Sequence, residues 1–190
     1  MKILEKYKTP ENIWKLDKKE LIKIPTIGEK IADNILDINV KNDVEKNIKY
    51  MEKNNIDIIS IQDKDYPQIL KETYDPPISL YIKGNKEILN NKAIGIVGCR
   101  ECTKYGENAA KYFSYNLAKN KINIVSGLAK GIDSFAHSGA IYADEKTIAV
   151  VGSGLDIVYP KENKTLADKI VEYGGCIISE YPIRNKTRKK

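Results

Sequence analysis

The sequence predicts an α/β protein whose mainly parallel sheet follows a small helical module, and three observations predict it. Apolar runs of strand length recur at Ala93 to Val97, Ile122 to Val125 and Thr147 to Val151. Between them, Lys104 to Asn120 and Ile132 to Asp144 have helix length and helical patterning. Each apolar run opens directly into small residues: Gly98-Cys99-Arg100, then Ser126-Gly127-Leu128-Ala129-Lys130-Gly131-Ile132-Asp133, then Gly152-Ser153-Gly154-Leu155-Asp156. Parallel strands joined by right-handed helical crossovers put all such loops on the carboxyl edge of one sheet, a Rossmann-like arrangement. Cys176 to Ile178, a fourth candidate strand, opens into Ser179-Glu180-Tyr181-Pro182 on that edge.

Residues 1–53 read as a separate helical unit, and residues 54–190 as the sheet domain. Glu11 to Leu16 and Lys19 to Ile24 have the length of short helices, and Ile24-Pro25-Thr26-Ile27-Gly28-Glu29-Lys30-Ile31-Ala32 leads into a longer one. The run resembles a helix-hairpin-helix (SAM-like) module. Ile27, Gly28 and Lys30 are its candidate contacts, because a glycine turn before a helix can offer backbone amides to a DNA phosphate. Thr26 stands where such a hairpin has its first glycine. A helical module with a purely structural role fits the same residues. Tyr50 to Asn55 is polar and ends a helix. Ile56 to Ile61 and Ile78 to Ile82 then read as strands, with Pro67, Pro76 and Pro77 punctuating their connection.

Glycines at a sheet edge let backbone approach an anion, and the helix N-termini behind them present amide hydrogens and partial positive charge. Gly98, Cys99, Ser126, Gly127, Gly131, Gly152 and Gly154 are therefore candidates for a phosphate cradle, to which Arg100 and Lys130 would add full charges. Taken singly, each loop is equally a tight turn after a buried strand. No loop carries G-x-G-x-x-G or G-x-x-x-x-G-K-[ST], so neither a dinucleotide nor a nucleoside triphosphate fingerprint is present.

The chain of 190 residues, 42% apolar, suits one domain plus a small appendage. Its net charge of +6 is unevenly placed: residues 1–90 hold 16 basic and 16 acidic side chains, residues 91–190 hold 16 and 10. Arg184, Lys186, Arg188, Lys189 and Lys190 supply most of that excess, either as a phosphate-holding tail or as a solvated end with no such role. Arg100 is the only arginine outside the tail. Cys99 and Cys102 have C-x-x-C spacing, but with Cys176 isolated and His137 the only histidine, four zinc ligands cannot easily be assembled, and no metal or cofactor is expected. Few cysteines and no long apolar run predict a soluble cytoplasmic protein without membrane contact. Asp133 and His137, four apart on one helix, could pair. With no nucleophile placed to use that histidine, a local hydrogen-bond network is favoured over acid–base chemistry, and Asp133 is expected to satisfy first-turn amides. Tyr105, Tyr159 and Tyr181 either stack on bases or anchor loops.

These residues, with Ala136-His137, Tyr159-Pro160, Asn163 and Ile178-Ser179-Glu180-Tyr181-Pro182, resemble the DNA-processing protein A (DprA, or Smf) family. Asp65-Tyr66-Pro67 with Leu70, Asp75-Pro76-Pro77 and Lys83-Gly84-Asn85 extend the likeness, which covers roughly residues 55–183. The resemblance implies a non-enzymatic protein that binds single-stranded DNA and helps load RecA onto it in natural transformation. It adds Asn163 to the phosphate contacts and places Asp133, His137, Tyr159 and Pro160 as structural residues near the site. Cys99 stands where that family has Ser or Thr. The family's Rossmann region continues past the Ser-Glu-Tyr-Pro segment, so the chain reads as C-terminally truncated. Surfaces attributed to the continuation, for a homodimer and for RecA, would then be missing. Two alternatives stand: a nucleoside monophosphate phosphoribohydrolase of related fold, whose Pro-Gly-Gly-x-Gly-Thr run is not found here, and an inactive remnant.

Overall fold

A computed structural model describes residue 7 and residues 10–184; residues 185–190, and with them most of the basic tail, lie outside the described residues. The chain divides into two compact units between Tyr50 and Met51.

In the first unit, α1 (Pro10–Trp14), α2 (Lys18–Ile22) and α3 (Glu29–Leu36) precede the long α4 (Ile38–Lys53), which runs across the division. Asp17 starts α2 with a reciprocal cap: its carboxylate accepts from the Glu20 amide at 2.7 Å, and the Glu20 carboxylate accepts from the Asp17 amide at 3.0 Å. Leu21, Ile24, Ile27 and Ala32 form the buried centre, flanked by Ile13, Leu16, Ile35 and Leu36.

The second unit is a six-stranded sheet in the order β1-β2-β6-β5-β4-β3, with β1 Ile56–Ser60, β2 Ser79–Gly84, β3 Ala93–Gly95, β4 Asn123–Ser126, β5 Thr147–Val150 and β6 Cys176–Ser179. The strands from β3 to β6 are parallel, and β2 pairs antiparallel with both β6 and β1. Helices α6 (Lys104–Lys119), α7 (Ile132–Tyr142) and α8 (Lys164–Glu172) are the crossovers. All three step in one direction along the sheet, so right-handed connection puts them on one face. Ile124 of β4 packs there with Ala118, Ala136, Ala140 and Ala143, small residues that let helices and sheet approach closely.

The opposite face belongs to the connection between β1 and β3. Its short helix α5 (Gln68–Lys71) and a 3-10 turn at Lys86–Asn90 lie beside the fully buried Tyr66, whose hydroxyl donates to the Pro77 carbonyl at 2.7 Å. Tyr66, Leu80, Ile82, Ile88, Ile148, Cys176 and Ile178 make that core.

Two sequence expectations change. Ala93 to Val97 is expected to be a buried strand, but β3 stops at Gly95 and is exposed along its length, because among the described residues it is the last strand of the sheet and has β4 alone as a neighbour. Helix α8 was not expected. Its signal is the spacing of Leu166, Ala167, Ile170 and Val171 on one helical face, of which Ala167 and Ile170 are buried.

Candidate functional site

The loops after β3, β4 and β5 meet at the carboxyl edge of the sheet, and backbone contacts tie the first two together. Gly131 has φ +78°, and a Cβ there would lie 2.3 Å from the Cys99 carbonyl oxygen and 2.5 Å from that of Arg100. The next amide, Ile132, donates to that same Cys99 carbonyl at 3.2 Å. A Cβ on Gly98 would in turn meet Ile132 Cγ1 at 2.7 Å. Glycine is required at both places because two chains touch there.

Asp133 sits between the loops. Its carboxylate accepts from the Gly98 amide and from the Ala129 amide, each at 3.4 Å, and lies where a Cβ on Gly127 would fall. It was expected to satisfy amides of its own helix turn; instead it joins the first loop to the second. No pair with His137 forms: His137 Nδ1 lies 2.8 Å from the Thr147 hydroxyl, which itself donates to the Ile124 carbonyl at 2.7 Å. The hydroxyl's one proton is thereby committed, so Nδ1 is the donor and carries the ring proton. Burial pulls the His137 pKa down to about 4, which keeps the ring neutral.

Other residues expected at the phosphate have partners within the protein. Ser126 is buried and donates to the Ile96 carbonyl at 2.6 Å, stapling β4 to the first loop. Asn163 Nδ2 donates to the Leu128 carbonyl at 2.8 Å and to the Ser134 hydroxyl at 2.9 Å, fixing the second loop around Leu128 at φ +59°. Gly154 is buried; a Cβ on it would strike the Pro182 carbonyl at 2.5 Å. Ser179 donates to the Ser153 carbonyl at 2.8 Å and accepts from the Tyr181 amide at 3.0 Å, so the Ser-Glu-Tyr-Pro segment braces the third loop.

What remains open is a cleft of about 300 Å³ lined by Arg100, Gly127, Ala129, Lys130, Val151, Gly152, Ser153, Tyr159 and Pro160. Of the residues read from sequence as phosphate contacts, Arg100, Gly127, Lys130 and Gly152 line it. Gly98, Cys99, Ser126, Gly131, Gly154 and Asn163 do not; they shape the loops or lie beside the cleft. Tyr159 and Pro160, expected as structural residues, form part of the wall.

Sequence reasoning missed Glu162, whose carboxylate holds Lys130 Nζ at 2.8 Å. That hydrogen bond raises the Lys130 pKa and lowers that of Glu162. Among the described residues Arg100 makes no ion pair or side-chain hydrogen bond, which leaves it the uncompensated cation of the cleft.

In the first unit, Gly28 is the N-cap of α3 with open space around it, Ile27 is buried in the local core, and Lys30 is exposed. Thr26 takes φ +86°, the conformation a glycine would adopt freely. All three cysteines are free, and burial pushes the Cys176 thiol up to about 12. Among the described residues no group of three His, Cys, Asp or Glu is placed to hold a metal ion, and no helix is long and apolar enough to cross a membrane.

The sequence model of DNA recombination-mediator protein A matches residues 57–190. The chain belongs to the DNA recombination-mediator protein A family. It is 34% identical over 184 residues to DNA processing protein DprA of Bacillus subtilis, covering 93% of this chain and 62% of the relative. To the Streptococcus pneumoniae DprA it is 46% identical over 122 residues, 64% of this chain and 43% of that protein. The solved Streptococcus pneumoniae DprA structure superposes with TM-score 0.66 at 38% identity, over 84% of this chain and 58% of that one. That of Helicobacter pylori, described for its single-stranded DNA binding mode, gives TM-score 0.63 at 30% identity, over 70% and 59%. The chain thus spans about three-fifths of its solved relatives, and the mixed, mostly parallel α/β sheet is that of the DprA fold.

Proposed function

We propose that this chain binds single-stranded DNA by its backbone phosphates at the carboxyl-edge cleft. The supporting observation is that the Gly98 and Gly131 loops are locked into one surface with Arg100 uncompensated at its mouth. A phosphate diester presents the matching anion to Arg100, and Tyr159 supplies a flat wall for an unpaired base. Phosphate contacts carry no sequence information, so binding is nearly sequence-blind and salt-dependent. The Helicobacter pylori relative's single-stranded DNA binding supports the same class of ligand for this chain.

The protein acts by binding, without catalysis. The one serine in the cleft lining, Ser153, is buried and donates to the Ile157 carbonyl at 3.3 Å, and His137 is enclosed in the helix-facing core rather than in the cleft. No cofactor is needed for this role. Within the family frame the bound strand is handed to RecA in the cytoplasm during natural transformation, with a homodimer as the acting form. The helix-hairpin-helix unit adds a second phosphate contact at Gly28 and Lys30, and residues 54–190 form the DNA-gripping domain.

Fluorescence anisotropy with labelled single-stranded and double-stranded DNA tests the reading. Preference for the single strand, lost in Arg100→Ala, is the expected result. Equal binding of both forms, or affinity untouched by Arg100→Ala, rejects it. Incubation with nucleoside monophosphates releases no free base; release would make the protein an enzyme.

A further inference from the structure

The outer face of α6 carries a row of aromatic rings that the fold does not use. Tyr105, Asn108, Tyr112, Tyr115 and Lys119 recur at steps of three and four residues, so they form one stripe along the helix. A stripe at that spacing ordinarily packs against a neighbour, yet Tyr105 is 82% exposed and Tyr112 65%. Tyr142, at the end of α7, is 87% exposed, with its ring centroid 6.1 Å from that of Tyr115 and the two planes at 50°. The helices approach closely at Gly139, where a Cβ would lie 2.7 Å from the Lys111 carbonyl oxygen. Beside that crossing, Tyr112, Tyr115 and Tyr142 line a slot of about 600 Å³.

The chemistry of the slot selects its occupant. Its lining holds no aliphatic side chain; besides the three rings it presents the Asn108 amide and the Lys111 ammonium. A partner helix would bring aliphatic knobs and need aliphatic holes to receive them, whereas an unpaired base brings a flat ring to a flat ring. Asn108 makes no side-chain hydrogen bond among the described residues, so its amide is free to meet a base edge. The charge agrees. Helix α6 carries three lysines and one glutamate, and the one acid of α7, Asp133, is turned to the cleft loops. Glu107 holds Lys104 at 2.9 Å and Lys111 at 2.6 Å, while Lys119 makes no ion pair among the described residues and stands 5.9 Å from the Tyr115 ring centroid. An anionic partner with exposed ring faces matches this surface, and single-stranded nucleic acid is such a partner.

The row also starts beside the Arg100 loop. Tyr105 stands five residues after Arg100, in the first turn of α6, and Tyr115 lies ten residues further, roughly 15 Å along the helix. We propose that the Tyr105, Tyr112, Tyr115 and Tyr142 face is a second contact for single-stranded DNA, on which bases of the strand held in the cleft stack. The proposal rests on the reading of this chain as a single-strand binder and extends its footprint from the cleft down α6. Every base has a π-face, so this contact keeps binding sequence-blind.

The test is anisotropy titration with oligothymidylates of increasing length, together with ultraviolet crosslinking to a strand carrying 5-iododeoxyuridine. Affinity should rise with length beyond what the cleft holds, and crosslinks should fall on Tyr112 or Tyr142. Tyr112→Ala and Tyr142→Ala should each weaken binding of the long strand about fivefold or more. Neither should change the salt slope, because no phosphate contact is lost. Tyr112→Phe keeps the ring and should bind as the parent does, and so should Tyr74→Ala, a fully exposed tyrosine in the connection between β1 and β3. Because the replaced rings are exposed, thermal melts of these variants should match the parent. Tyrosine variants that bind normally while Arg100→Ala still weakens binding overturn the proposal and leave the cleft reading intact. Tyrosine variants that weaken binding while Arg100→Ala has no effect reject the cleft and retain the slot. Self-association of the chain, abolished by Tyr112→Ala, overturns the proposal, because the occupant is then a second copy.

Discussion

Glu162 should act as a brake on nucleic-acid binding, and replacing it should reveal how many cations the cleft commits. Two cationic side chains line the cleft, but Lys130 is already compensated by Glu162 at 2.8 Å. A phosphate that takes Lys130 leaves the Glu162 carboxylate needing a new counterion, so the exchange nearly cancels and Arg100 alone counts. Each phosphate neutralised on a single strand contributes about −0.7 to the slope of log Kobs against log salt. With one effective cation, the cleft weakens about 2.6-fold between 50 and 200 mM salt; with two, about sevenfold. Glu162→Gln keeps the size and removes the charge, so it should bind more tightly at low salt and steepen the slope by about 0.7. Arg100→Ala should flatten the slope by about the same amount and weaken binding about 10- to 100-fold at low salt, the worth of charge-assisted hydrogen bonds. Basic residues elsewhere add one offset to every variant, so only differences in slope are compared. Anisotropy titrations of a labelled oligonucleotide at four salt concentrations measure them. If Glu162→Gln leaves both slope and low-salt affinity unchanged, Lys130 does not meet phosphate and the reasoning is refuted.

Gly131→Ala should destabilise the sheet unit by about 2 kcal/mol or more and abolish DNA binding, since the new methyl collides with the Cys99 and Arg100 carbonyls at positive φ; a thermal melt and the same titration measure this, and native-like values would refute the clamp. His137 makes stability fall in acid: the unfolded ring takes a proton below about pH 6.5 that the folded ring refuses until about 4, so stability is full above that window and is lost as pH falls through it. At pH 5 the loss is roughly 2 kcal/mol relative to pH 7, and urea denaturation should find the pH dependence reduced in His137→Gln. Thr26→Gly should stabilise the first unit by about 1 kcal/mol by relieving its left-handed backbone, read from the fluorescence of Trp14, the single tryptophan; a loss of stability would show that the threonine side chain makes a contact that outweighs the strain.

The parallel strands were legible because buried strands are continuous apolar runs and the glycines that end them are also the residues the edge requires. β4, β5 and β6 fall within one residue of their expected bounds for this reason. Contacts between loops were not legible. Lys130 and Glu162 are 32 residues apart, Asp133 and Gly98 are 35 apart, and so are Asn163 and Leu128. Local periodicity carries no information about which loops the sheet order makes neighbours. The same lack explains Asp133 and His137: helical spacing placed them on one face, yet sheet packing gave each a closer partner, the Gly98 and Ala129 amides for one and Thr147 for the other. The exposure of β3 was hidden likewise, since its residues state that it is a strand and not how many strands flank it.

The division of labour in the cleft follows from these contacts. Most of the residues marked by their glycine or amide chemistry work on other parts of the protein: Gly131 on the Cys99 and Arg100 carbonyls, Asn163 on Leu128, Ser126 on Ile96. The first amide of α7, which a free helix N-terminus would present to an anion, is spent on the Cys99 carbonyl. An anion at the cleft therefore depends on Arg100 far more than the number of loops implies, and the loops contribute chiefly by holding that side chain's backbone rigid. If so, Asp133→Asn, which removes the charge that draws the Gly98 and Ala129 amides together, should weaken DNA binding although Asp133 lies outside the cleft lining. It should do so without changing the salt slope, because no phosphate contact is lost. A parallel loss of slope would instead place Asp133 in the cleft's own charge balance and overturn this division.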